Sequence, residues 1–159
     1  MICYKKIKSE IINFKSNNNQ LIVLKRKAPE NCDFFFKEIS KSINAHVGFV
    51  NKKNAKNDIH SILRNQVSRK NQLNSFYDIW LEDMSNICMI FSSFLREDRI
   101  SFWIGTQRGC KRYHVDMVPF RLLITYSGKG TEILPNYAAN RQAFHDGKSN
   151  QEIIKDKSA

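Results

Sequence analysis

The stretch "SFYDIWLEDMSNICMIFSSFLRED", residues 75–98, restricts the fold more than any other part of the chain. Trp80, Met84, Ile87, Phe91, Phe94 and Leu95 recur at helical spacing and make a wide apolar stripe, the kind that packs against a sheet. Immediately after Asp98 the period changes. In "RISFWIGTQ", Ile100, Phe102 and Ile104 alternate with Ser101 and Trp103, as on a strand. A long amphipathic helix feeding directly into β-type alternation points to an α+β domain.

The flanking segments extend this division. Upstream, "LIVL" at Leu21–Leu24 reads as a short strand closed by Pro29. In "NCDFFFKEISKSINAHVG", Asn31 or Asp33 can cap a helix whose apolar positions are Phe36, Ile39, Ile43 and Val47, with Gly48 as the stop. "NDIHSILRNQV" repeats the helical pattern through Ile59, Ile62, Leu63 and Val67, which places His46 and His60 on helices. Downstream, "RYHVDMV" and "FRLLITY" are β-rich, "SGKGT" is a glycine turn, and "EILP" is a short strand ended by Pro135. "NQEIIKD" offers one helical turn. Helices followed by strands predict N-terminal helices packed on an antiparallel sheet or partial barrel, in one domain over 1–159. Three or four strands would leave an open edge, so the reading also holds that the chain lacks its C-terminal strands.

Charge is distributed unevenly. Residues 1–75 hold 15 Lys and Arg against 5 Asp and Glu, whereas residues 76–159 hold 11 against 10. A basic half could meet nucleic acid by counterion release. The plainer account is a coding bias toward Lys, Asn and Ile, as in "FKSNNNQ" and "VNKKNAKND". No helix-turn-helix, zinc-finger or RNA-binding signature favours a nucleic-acid partner. No window reaches the roughly 18 apolar residues of a membrane span, and the start lacks the apolar run of a signal peptide. The default location is the cytoplasm, where Cys3, Cys32, Cys88 and Cys110, with no C-x-x-C pair, are read as free thiols.

The candidate chemistry lies in "CKRYHVDMVPFRLLITYSGKGTE". On a strand His114 and Asp116 share one face, about 7 Å apart at their backbones, while Tyr113, Val115 and Met117 share the other, suited to a core. An imidazole and a carboxylate so placed can converge on a divalent cation, and H-x-D is two thirds of the facial triad that holds non-haem iron. Arg121 can balance a carboxylate, either Asp116 or that of a small acid ligand. Cys110 can add a soft donor and tilt the site toward zinc. The competing reading is that His114 and Asp116 simply bond each other, with Arg121 closing a salt bridge. Cys110 as a nucleophile would sit about 13 Å from His114 along a strand, too far for a base. His145 is a further candidate third ligand. "SGKGTE" is not a phosphate loop, because Leu123 stands where that motif needs glycine.

Together Cys110, Tyr113, His114, Asp116, Arg121, Tyr126, Gly128, Gly130, Thr131 and Glu132, continued by Asn140 and Arg141 in "LPNYAANRQAF", resemble the central motif of the bacterial domain of unknown function 1826 family. The resemblance implies a partial double-stranded β-helix (cupin-like), distantly similar to iron- and 2-oxoglutarate-dependent oxygenases. It implies His114 and Asp116 as ligands of iron or zinc, with Cys110 as an extra ligand, and Arg121, Thr131 and Arg141 as contacts to a small carboxylate. Members that accompany zinc-handling GTPases imply the alternative of a non-catalytic zinc-binding role in metal homeostasis. Ile133 departs from the tryptophan usual at that place. The downstream His-Arg segment that would bring the third ligand is missing from the 159 residues.

Overall fold

A computed structural model describes residues 4–17, 20–106 and 110–156. Cys3 lies outside the described residues. The chain divides into two compact units, Met1–Thr106 and Gln107–Ala159. Among the described residues there are seven helices and one two-stranded antiparallel sheet, an α+β arrangement.

The first unit is built on the long helix α5 (Ser75–Leu95), preceded by α1 (Tyr4–Ser16), α2 (Asp33–Ser42), β1 (His46–Asn51), α3 (Ala55–Leu63) and α4 (Arg69–Gln72), and followed by β2 (Arg99–Ile104). Asn74 caps α5 by accepting the Phe76 N–H at 2.9 Å. The helix ends at Arg96, which takes the left-handed conformation (φ 61°) usually left to glycine. Trp80, Met84 and Ile87 are buried as the stripe predicts, while Phe91, Phe94 and Leu95 are half-buried. Phe35, Phe36 and Tyr77 meet Trp80 edge-on, with ring centroids 5.9–6.3 Å apart. Asp83, on the same helix, is buried. Arg26 reaches it from the irregular segment 20–29, donating at 3.0 and 2.8 Å, and the Tyr4 hydroxyl donates at 3.0 Å.

Two expectations upstream of α5 are corrected. Leu21–Leu24 forms no strand; it belongs to the irregular segment that carries Arg26. The second helix stops at Ser42, and His46, Val47 and Gly48 lie in β1 instead. Gly48 does not terminate a helix: a Cβ there would sit 2.6 Å from Ile62 Cδ1, so the missing side chain lets α3 press onto the strand. β1 pairs with β2 in the register Val47↔Trp103, Phe49↔Ser101 and Asn51↔Arg99. Val50 and Ile100, directly opposite each other, are buried.

The second unit contains α6 (Arg141–His145) and α7 (Asn150–Ile153). Ser149 and Glu152 form a capping box on α7. Ala138, Ala143 and Ile153 are buried, and a single antiparallel bridge joins Ala139 to Ile154. The segments read as strands, "RYHVDMV", "FRLLITY" and "EILP", carry no strand. A β-rich segment becomes a strand only when a neighbouring strand takes its backbone N–H and C=O groups, and no strand does so here among the described residues. The expectation that Val115 and Met117 enter a core is likewise overturned: Val115 is 58% and Met117 94% exposed. The glycine turn is as read, with Gly128 at φ 82° and Gly130 at φ 76°.

Candidate metal centre

The site is set by anchors on either side of residues 111–113. Asn150, the first residue of α7, donates from Nδ2 to the Lys111 carbonyl at 2.7 Å and accepts the Tyr113 N–H at 2.9 Å. Between these bonds the Arg112 guanidinium donates to the carbonyls of Lys148 (3.0 Å) and Phe144 (2.7 Å) and lies 5.3 Å over the Phe144 ring. The Phe144 carbonyl lies in the last turn of α6, where a cation also meets the negative end of the helix dipole. These contacts fix the Arg112 backbone.

That backbone orients His114. Its Nδ1 lies 2.9 Å from the Arg112 carbonyl oxygen. A carbonyl can only accept, so the bond places a proton on Nδ1. Nε2 faces Asp116 Oδ1 at 3.5 Å. A bend at residues 117–119 then brings Arg121 back, with a guanidinium nitrogen 2.9 Å from the same Oδ1. The three side chains are 48%, 33% and 47% exposed, so the cluster opens to solvent.

The structure thus gathers His114, Asp116 and Arg121. Among the described residues no group of three His, Cys, Asp or Glu side chains forms a metal cage. Cys110 is an exposed free thiol. Thr131 is exposed beside Gly130, where a Cβ would sit 2.9 Å from Thr125 Oγ1. Arg141 donates to Asn136 Oδ1 and lies 6.0 Å over Phe144, sharing that ring with Arg112. His145 ends α6 with its ring edge-on to Phe144 at 5.4 Å.

Sequence reasoning missed Arg112 and Asn150, which position the histidine. Nothing local could reveal them, since Asn150 acts across 37 residues from Tyr113. His60, read only as a helix residue, bonds the Tyr77 hydroxyl at 3.2 Å and is part of the first unit's packing. Among the described residues no helix is long and apolar enough to cross a membrane.

His114 Nε2 and Asp116 Oδ1 are one nitrogen and one oxygen donor, two of the four that a tetrahedral zinc site takes. Two ligands about 2.1 Å from one zinc at a tetrahedral angle lie about 3.4 Å apart, and the His114–Asp116 separation is 3.5 Å. The sequence model of a family described as "Protein of unknown function (DUF1826)" matches residues 9–159. Searches of curated proteins and of solved structures find no match.

Proposed function

The chain belongs to the DUF1826 family, and from that premise we propose that it is a metal-binding protein in which His114 Nε2 and the Asp116 carboxylate hold one divalent cation, zinc or iron. The observation that carries this reading is the orientation of the His114 ring. With Nδ1 donating to the Arg112 carbonyl, it is Nε2 that faces Asp116 Oδ1, at 3.5 Å. Such a pair is attractive only with a cation between them, a proton or a metal ion. A backbone carbonyl on the distal nitrogen is also the usual outer support of a metal-bound imidazole.

A bound ion would supply a Lewis acid with coordination positions open to water or a small carboxylate. Arg121 neutralises Asp116 while the cation is absent and anchors the small carboxylate when it is present. Cys110, Thr131 and Arg141 border the motif as further contacts. The near-tetrahedral spacing favours zinc and a role in metal supply over iron and oxygenase-like chemistry. Residues 121–126 keep alternating exposure, with Leu122, Ile124 and Tyr126 less exposed than Arg121, Leu123 and Thr125. In this reading they are strands of a partial double-stranded β-helix once paired.

Calorimetric titration of the purified chain with Zn(II) and Fe(II) tests the proposal. The expected result is one site, lost in His114→Ala and in Asp116→Ala. Undiminished binding in the double variant removes both ligands from the account. Oxygen consumption with 2-oxoglutarate in the iron-loaded protein would move the reading from metal supply to oxygenase.

A further inference from the structure

The outward face of the β1–β2 sheet is unlike that of an ordinary solvated pair of strands. It presents Val47 and Phe49 from one strand and Arg99, Ser101 and Trp103 from the other. Phe49 is 54% and Trp103 52% exposed. In the observed register Phe49 opposes Ser101 and Trp103 opposes Val47, so the two aromatics are diagonal neighbours on adjacent strands, about 7–8 Å apart at their backbones. The Trp103 ring runs forward over Gly105, where a Cβ would meet it at 2.8 Å; the glycine lets the indole lie along the backbone. The Arg99 guanidinium sits 4.0 Å over the Phe49 ring, a flat cationic layer on an aromatic one.

We propose that this face is a stacking platform for single-stranded nucleic acid, with one base on the Trp103 indole and the next on the Arg99–Phe49 layer. Adjacent exposed aromatics on a sheet, with a guanidinium plane among them, offer unstacked bases surfaces of matching size that do not depend on sequence. Charge complementarity selects this partner over an apolar one. Residues 1–106 carry 17 Lys and Arg against 10 Asp and Glu. Lys52 and Lys53 follow β1 directly, at the end where Arg99 opens β2. Glu97 and Asp98 precede Arg99, so local phosphate contacts are limited to about three, and the excess charge of the unit acts by steering. This inference does not depend on the metal site.

The experiment is fluorescence titration of the full chain with a dodecamer of deoxythymidylate. Trp80 is buried, so quenching reports Trp103. Three phosphate contacts on a single strand give a salt slope near −2, or about a 20-fold loss of affinity for a four-fold rise in salt. Trp103→Ala and Phe49→Ala, followed by anisotropy of a labelled dodecamer, are each expected to weaken binding about ten-fold. Trp103→Phe keeps most of the affinity, while Trp103→Leu, equally apolar but without a π face, loses it; this pair decides the matter if the alanine variants do not fold. No binding, or salt-dependent binding that is unchanged in the Phe49 and Trp103 variants, overturns the platform. Concentration-dependent dimerisation abolished by Trp103→Ala also overturns it and assigns the face to a second copy of the chain.

Discussion

Replacing Arg26 by methionine isolates what holds the segment before α2 to the long helix. The Asp83 side chain is 3% exposed and that of Arg26 is 21%. Both guanidinium nitrogens donate to the carboxylate, at 3.0 and 2.8 Å. Removing one partner of a buried pair leaves a charge with poor solvation and costs about 3–5 kcal/mol. Because water already reaches part of Arg26, the lower end applies, about 3 kcal/mol, which is roughly a 150-fold fall in the ratio of folded to unfolded chain. Urea unfolding followed by the fluorescence of Trp80, less than one turn from Asp83 on α5, measures it directly. The double variant Arg26→Met, Asp83→Leu removes both charges, and its stability is expected within about 1 kcal/mol of the parent. A loss below about 1 kcal/mol in Arg26→Met alone, with an unchanged urea slope, would refute the assignment of this pair as the anchor of the irregular segment 20–29.

Four further outcomes are expected. Burial pushes the Cys88 thiol up to about 12 from its ordinary value near 9, so the folded state resists forming the thiolate. Its contribution is fully present below pH 9 and is lost as pH rises toward 12, by about 1.4 kcal/mol per unit. Tyr4 and Tyr77 are raised in the same sense, chiefly by burial. Denaturant midpoints should therefore fall steadily above pH 9, and a flat profile to pH 11 contradicts this. Among the described thiols, a disulfide reagent should modify exposed Cys110 at once and reach buried Cys32 and Cys88 only after unfolding. Ile153→Ala is expected to cost about 2–4 kcal/mol in its unit. It should also speed amide exchange at Asn140, whose N–H donates to the Ile153 carbonyl at 2.8 Å. Met117→Ser, at a 94% exposed side chain, should stay within about 0.5 kcal/mol.

What the sequence reveals and what it hides divide along physical lines. The helix through Trp80, Met84 and Ile87 and the alternation of Ile100, Phe102 and Ile104 are visible because each element's own periodicity determines which face it buries. β1 is hidden. Val47 happens to continue the helical phase of Phe36, Ile39 and Ile43, and Gly48 looks like a stop signal. The strand's real partner begins some fifty residues later at Arg99, and the real reason for the glycine is Ile62. Residues 113–134 show the opposite failure: their alternation is real, but the pairing that makes a strand depends on a neighbour that a local pattern does not contain. At the candidate centre His114 and Asp116 lie side by side although their segment is no strand, and Arg121 joins them across a bend. The orientation of the imidazole is not local. It depends on Arg112 clasping α6 and on Asn150 of α7 holding both neighbouring peptides.

That orientation can be measured at a single nitrogen. In a long-range nitrogen–proton NMR spectrum of the chain, with added Zn(II), the account predicts that His114 keeps its proton on Nδ1 and that Nε2 alone shifts on saturation. The shift should disappear in Asp116→Ala. A histidine that carries its proton on Nε2, or a spectrum that zinc leaves untouched, would contradict the proposed centre and leave only a solvent-facing ion pair.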